Sequence, residues 1–369
     1  MTQSSRIPIV IPNYGPGNRQ QGFTEPHVNY ALAQARFSNP DAHTVVIGDA
    51  DCRESLWGFE SEFVWLAEFD DSWRELKANY VHFSPNTPWF ELFAIAKWFI
   101  IRDWMKRSGC ERCLHIDPDL MLYATLDEIV TANGPALIMS SMGRGTHCSL
   151  VTYDILCRLC DLVLRTYGDP EEVRNLARAY EAGTLIVQDM TFFERLCRQL
   201  PSGSVFDSLK CPLFFDHNFT GDIGGPFVKE GEIRKVRFEG VRAFGERSDG
   251  TPVRFASLHF QGAGKAQMHK HLATDDSDRT GKGFIRALRA NCESLRFAAI
   301  DQKTLAKYAS RLGEIRSSSE DLGKLLRQIE SSPWIRVGST LNLTKARGQL
   351  QKCKEIREKI RDLAPRLEQ

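Results

Sequence analysis

The apolar block Ile7-Pro-Ile-Val-Ile11 closes on the turn-forming run Asn13-Tyr-Gly-Pro-Gly-Asn18, and a second such block, Thr44-Val-Val-Ile-Gly48, ends at Asp49. Between them, residues His27 to Phe37 set Val28, Leu32 and Ala35 on one helical face. Strand, helix, strand at this spacing predicts a parallel βαβ unit. A chain that begins this way is committed to an α/β body with a sheet covered by helices.

The pattern continues downstream. Phe90 to Arg107 reads as a helix, with Phe93, Ala96, Lys97, Ile100 and Trp104 recurring at three and four and Gly109 as its stop. Cys113-Leu-His-Ile116 is a short strand running directly into Asp117-Pro-Asp119, and Ala136 to Ser140 is another strand. Tyr153 to Tyr167 is an amphipathic helix; Ala182 to Leu200 reads as strand, loop and helix, or as one long helix after a glycine. Ile233 to Phe238 and Val241 to Phe244, joined at Glu239-Gly240, form a hairpin. Val253 to His259 is the last strand. From about Leu288 the strand-like blocks give way to Lys/Arg/Glu/Leu-rich helical periodicity, broken at Ser332-Pro333.

Charge separates the same two parts. The whole chain carries a net +1, but residues 281–369 hold 19 Lys+Arg against 10 Asp+Glu and the rest is acidic. The expected organisation is an α/β domain at 1–280 and a basic helical appendage at 281–369. The near-neutral total gives no bulk attraction to a polyphosphate backbone, so nucleic acid is excluded as a main partner. The longest apolar stretches fall far short of the ~20 residues a spanning helix needs. The first residues lack a secretory pattern and the 10 cysteines suit a reducing compartment, so a cytoplasmic protein is expected. The basic appendage would be a solvated helical hairpin, a peripheral dock on anionic lipid, or an oligomer contact, with Pro333-Trp-Ile335 as its apolar point.

Three short elements carry chemistry. Asp117 and Asp119 stand at the end of an apolar strand, at the edge of a parallel sheet where open α/β folds place their ligands. Two carboxylates across a turn can converge on one hard divalent cation and leave positions for diphosphate oxygens. His259-Phe-Gln-Gly262-Ala-Gly264-Lys265, also after a strand, adds an imidazole, two flexible glycines and a cation. Gln188-Asp189 follows the small apolar run Gly183 to Val187 and would present polar groups beside a substrate.

In this order and context the sequence resembles the nucleotide-diphospho-sugar transferases of the GT-A type, most closely the retaining glycogenin-like and galactosyltransferase-like group. The resemblance rests on the helix with Glu91 and Lys97, Leu114-His-Ile-Asp-Pro-Asp-Leu-Met-Leu122, Gln188-Asp189 and the terminal His-Phe-x-Gly-x-x-Lys, and it spans Ile7 to His271. It implies a Rossmann-like, mixed and mostly parallel sheet flanked by helices. It implies that Asp117, Asp119 and His259 bind Mn²⁺ or Mg²⁺, and that Gly262 and Lys265 touch the donor diphosphate. Asp49 would face the nucleoside, beside the Gly15-Pro-Gly17 loop. Lys97 stands where the family commonly has Arg, so a point charge replaces a bidentate donor contact. Gln188 and Asp189 would line the sugar and acceptor pocket, stabilising an oxocarbenium-like state or orienting the acceptor. With inversion, Asp189 would instead be the base. Phe214-Phe-Asp-His-Asn-Phe219 offers Asp216, His217 and Asn218 between aromatic rings as an acceptor site, or a loop capping its own backbone.

The activity implied is metal-dependent transfer of a sugar from a nucleotide-diphosphate donor, a UDP-sugar, to a hydroxyl of a glycan or lipid-linked acceptor, with retention. The alternatives are a nucleotide-sugar-binding scaffold without turnover and a sugar nucleotidyltransferase, whose glycine-rich loop Asn13 to Asn18 does not match. Cys110-Glu-Arg-Cys113 and Cys157-Arg-Leu-Cys160 read as buried or half-buried thiols rather than a zinc site, and His115 reads as a core residue.

Overall fold

Strand β1 (Ile9–Asn13), formed by the opening block, is buried along its whole length. Val10 packs with Val45, Ile47 and Val64 on one face, while Ile9 and Ile11 pack with Val46, Leu114 and Ile116 on the other. A strand buried on both sides has to be apolar throughout, which accounts for the missing polar alternation. The computed structural model describes residues 7–13, 27–56, 61–140, 145–207, 213–222 and 225–273. These all lie in the compact unit Met1–Arg289. The Gly15-Pro-Gly17 loop and the basic segment 281–369 fall outside the described residues.

Helix α1 (Val28–Ser38) leads to β2 (Thr44–Gly48), α2 (Ala50–Ser55) and β3 (Glu62–Trp65). Helices α3 (Arg74–Asn79) and α4 (Pro88–Ser108) precede β4 (Arg112–Ile116) and β5 (Leu120–Leu122). Next come α5 (Leu126–Asn133), β6 (Ile138–Ser140), β7 (Cys148–Thr152), α6 (Tyr153–Gly168) and α7 (Pro170–Glu181). Helix α8 (Asp189–Gln199) is followed by β8 (Val205–Asp207) and β9 (Leu213–Phe215). Short strands β10 (Lys229–Glu230), β11 (Ile233–Arg234), β12 (Arg237–Glu239) and β13 (Arg242–Glu246) lead to β14 (Pro252–His259) and the 3-10 turn Gly262–Lys270.

The large sheet has the order β3-β2-β1-β4-β7-β6-β8. Its first four strands are parallel, β7 runs against β4, and β6 and β8 resume the original direction. Residues of α4, α6 and α8 fill the core on one face, and residues of α1 and α5 fill the other. The fold is therefore mixed α/β with a mostly parallel, helix-flanked sheet. Among the described residues no helix is long and apolar enough to cross a membrane.

Helix α4 shows how the sequence sets an element. Thr87 accepts the Phe90 N–H at its start, Pro88 occupies the first turn, and Gly109 takes the left-handed cap at φ 68°. The second sheet runs β12-β13-β14-β5, with β9 also paired to β14. Thus β4 and β5, consecutive in sequence, belong to different sheets, and Asp117-Pro-Asp119 is the bend between them. Helix α1 is stitched to this bend's far side by buried polar groups: Ser38 Oγ donates to the Leu122 carbonyl at 2.8 Å, and Asn39 Nδ2 to the Ala124 carbonyl at 3.1 Å.

Two expectations change. The hairpin joined at Gly240 (φ 56°) is β12 with β13 alone, since Ile233 and Arg234 pair instead with Lys229–Glu230. Arg234 has no exposed surface and forms an ion pair with the buried Asp216, which pulls its strand out of the hairpin. In Ala182 to Leu200 the helix begins only at Asp189, and Gly183 to Val187 forms no strand.

At Gly48, where β2 turns into α2, an added Cβ would lie 2.7 Å from Cys52 Sγ, 2.8 Å from Cys52 Cβ and 3.0 Å from the Asn13 carbonyl oxygen. Gly48→Ala is expected to cost about 1–3 kcal/mol, read as a lower denaturant midpoint at unchanged slope.

Candidate active site

Two strand registers converge on the bend. Ile116 pairs with Cys148, which sets His147 beside Asp117, and Leu120 pairs with His259, which sets that imidazole beside Asp119. The Asp117 N–H donates to the His147 carbonyl at 2.8 Å, and the Asp117 carbonyl accepts the Leu120 N–H at 3.0 Å, closing the turn. The Phe260 N–H donates to the Asp119 carbonyl at 2.9 Å. One ligand atom each from Asp117, Asp119 and His259 all lie within 4.8 Å of one another.

The imidazole is fixed from behind. His259 Nδ1 donates to the His217 carbonyl at 2.8 Å, and the His259 N–H donates to Asp216 Oδ2 at 3.2 Å. A carbonyl only accepts, so Nδ1 carries the proton and Nε2 faces Asp119 Oδ1 at 3.3 Å. Histidines that bind metals are generally held in this way, with the second nitrogen bonded to a carbonyl or carboxylate. Two carboxylate oxygens and one such nitrogen form a donor set that suits Mn²⁺ or Mg²⁺.

The site balances its charges internally. Lys97 Nζ lies 2.9 Å from Asp117 Oδ1 and 3.3 Å from Asp189 Oδ2, and Lys265 Nζ lies 3.3 Å from Asp119 Oδ2. Burial would raise the Asp117 carboxyl, but Lys97, with His115 and His259, holds it well below the usual carboxylate range. Asp119 is lowered against burial by His259 and Lys265. Burial would lower His259, yet Asp119 raises it above its ordinary value. For Lys97 likewise, Asp117 and Asp189 outweigh burial and raise the ammonium.

The remaining expected residues sort by depth. Asp189 opens α8, where its Oδ2 also accepts from Trp98 Nε1 at 3.3 Å and its Oδ1 accepts the Met190 N–H at 2.8 Å. Gln188 Nε2 donates to Glu91 Oε1 at 3.1 Å, and Ser84 Oγ donates to the same oxygen at 3.0 Å. Asp49 ends β2 at the carboxyl edge and accepts the Cys52 N–H at 2.8 Å, capping α2. Gly262 opens the 3-10 turn at φ 53° with nothing within 4 Å of an added Cβ, and Lys265 lies on the same turn.

Four more of the expected residues are held by neighbours in the protein. Lys97 is buried under two carboxylates, which it bridges. Asp216 has no exposed surface; it pairs with Arg234 at 3.1 Å and holds the His259 backbone, rather than facing an acceptor. Asn218 Oδ1 accepts from the Thr220 N–H at 3.0 Å and the Thr220 hydroxyl at 2.9 Å, the local capping role. His217 lends its carbonyl to His259 and sets its ring edge-on to His147.

The sequence reading missed His147, His27 and Trp98. His147 stacks on His259 with ring centroids 4.5 Å apart and planes 10° apart. His27, just before α1, is pushed down to about 4, chiefly by burial and then by Lys265, which places it near the same cation. Only the position of His147 ahead of an apolar run, like that of His259 after one, could have signalled it.

No family model matches the chain, and no curated protein sequence matches it. Among solved structures, the galactosyltransferase LgtC in complex with donor and acceptor sugar analogs is similar over 78% of this chain and 96% of its own, at 12% identity and a TM-score of 0.42. The apo form of mouse xyloside xylosyltransferase 1 is similar over 55% of this chain and 84% of its own, at 14% identity and 0.36. The glycosyltransferase GlyE of Streptococcus pneumoniae covers 55% and is covered over 46%, at 10% and 0.32.

Replacing Lys97 with Met leaves Asp117 and Asp189 buried without their cation, and is expected to cost about 3–5 kcal/mol in chemical denaturation. In metal-free protein the His259–Asp119 pair contributes stability that is complete below about pH 6.5 and is lost as pH rises through the raised folded-state value of His259. The contribution of Asp119 has the opposite sense, present above its ordinary value and lost as pH falls through its lowered one. His27, His115, His147 and His271, all lowered by burial, push the midpoint the other way in both proteins, so the pair is read as a difference: the advantage of wild type over His259→Gln in denaturant midpoint should shrink as pH rises above about 6.5.

Proposed function

We propose that the protein is a metal-dependent glycosyltransferase that moves a sugar from a nucleotide-diphosphate donor, a UDP-sugar, to a hydroxyl of a glycan or lipid-linked acceptor. The observation that carries this reading is the convergence of Asp117, Asp119 and His259 at the carboxyl edge of the sheet. Those three residues would hold Mn²⁺ or Mg²⁺, and a bound cation would neutralise charge building on the departing diphosphate.

The chain's own groups supply the rest. Lys265, on the turn opened by Gly262, offers an ammonium to the diphosphate, and the bare backbone of that turn allows a phosphate to approach closely. Asp49, at the end of β2, is suited to accept hydrogen bonds from the ribose or base. Gln188 and Asp189 stand at the start of α8, next to the cation site through Lys97. Both Asp189 oxygens are already engaged, which supports an electrostatic or orienting role over that of a base and favours retention.

A thermal-shift panel of nucleotide sugars with and without Mn²⁺ tests the donor, because a ligand that binds only the folded state raises its melting temperature. The expected result is stabilisation by UDP-sugars that requires Mn²⁺, together with slow Mn²⁺-dependent hydrolysis that Asp119→Ala abolishes. Hydrolysis unchanged in Asp119→Ala would remove the reading, whereas donor binding without turnover would favour a scaffold.

A further inference from the structure

The cation site of the preceding reading draws its ligands from two sheets: Asp117 ends a strand of the large one, and His259 ends a strand of the small one. His147 touches both. Its carbonyl accepts the Asp117 N–H at 2.8 Å, and its ring lies flat on the His259 ring. The ring is almost fully buried, and burial holds its pKa well below the ordinary value, leaving it neutral. His217 closes the third side, edge-on to His147 at 4.9 Å and 79°.

We propose that His147 is a positioning residue for the cation, setting the ring plane of His259 and the backbone of Asp117 at one mutual arrangement. The hydrogen bond from His259 Nδ1 to the His217 carbonyl fixes one atom of the imidazole. A single hydrogen bond still tolerates a range of χ2, because histidine's χ2 has broad minima. A parallel ring in contact removes that freedom and keeps Nε2 directed at Asp119. Groups that orient metal ligands typically change metal affinity by 10–100-fold when removed. The inference rests on the metal site of the proposed function.

The test is Mn²⁺ titration of the full chain, read from the decline of the free-ion paramagnetic resonance signal, for wild type, His147→Phe, His147→Leu and Asp119→Ala. The flat ring of Phe should keep the affinity within a few-fold of wild type. Leu, which fills the volume without a flat face, should weaken it about 10-fold or more. Metal-free melting temperatures separate this effect from general destabilisation, and His147→Gln makes the same comparison if the Leu variant does not fold. Wild-type affinity in His147→Leu, or equal weakening in the Phe and Leu variants, would overturn the positioning role and leave the metal site standing. A wild type that takes up no Mn²⁺, indistinguishable from Asp119→Ala, would overturn both.

Discussion

The crossing of the chain from one sheet to the other at Asp117-Pro118-Asp119 is the constraint on which the site depends. Strand β4 ends in the large sheet and β5 begins in the small one, so the bend between them cannot shift without breaking a register on either side. Proline suits this place because it has no N–H to leave unpaired and a fixed φ, while the Leu120 N–H closes the turn on the Asp117 carbonyl. The two carboxylates are therefore aimed by the sheets themselves. A one-residue slip in either ladder would turn them to the wrong face.

Beneath the bend lies a layer of buried ionic contacts that joins helices to it. Lys97 of α4 bridges Asp117 to Asp189 at the start of α8, and Asp216 with Arg234 holds the backbone of His259. Buried ion pairs are weak stabilisers compared with apolar packing of the same volume. They do impose a single geometry, since any displacement leaves a charge unpaired in a poor solvent. That is more useful under a cation site than additional packing would be. Arg234 adds a stacked contact over the Phe227 ring at 3.9 Å, so even the far end of this layer is fixed in position.

Much of this was legible in the sequence, and the rest was hidden for physical reasons. The βαβ opening, the long helix at 88–108 and the last strand all show in apolar periodicity, because burial dictates it. Asp117, Asp119 and His259 stood out because each borders an apolar run. Periodicity gives the face of a residue and not its depth, so the place of Lys97 under two carboxylates was not legible. Asp216 misled in the same way: a polar residue between aromatics looks exposed, and its partner Arg234 lies in another strand with no local signal linking the two. Such long-range pairs are invisible until the chain folds.

Charge balance carries the argument one step further. Without a cation, Asp119 is compensated by His259 and Lys265, so the folded protein tolerates the cluster on its own. A divalent ion bound by Asp117, Asp119 and His259 would compete with Lys265 for the same carboxylate oxygens. Released from Asp119, the ammonium would be left near a site that carries more positive charge than before, an arrangement that favours an anion. In the proposed reaction, Lys265 would then be placed to contact the donor diphosphate.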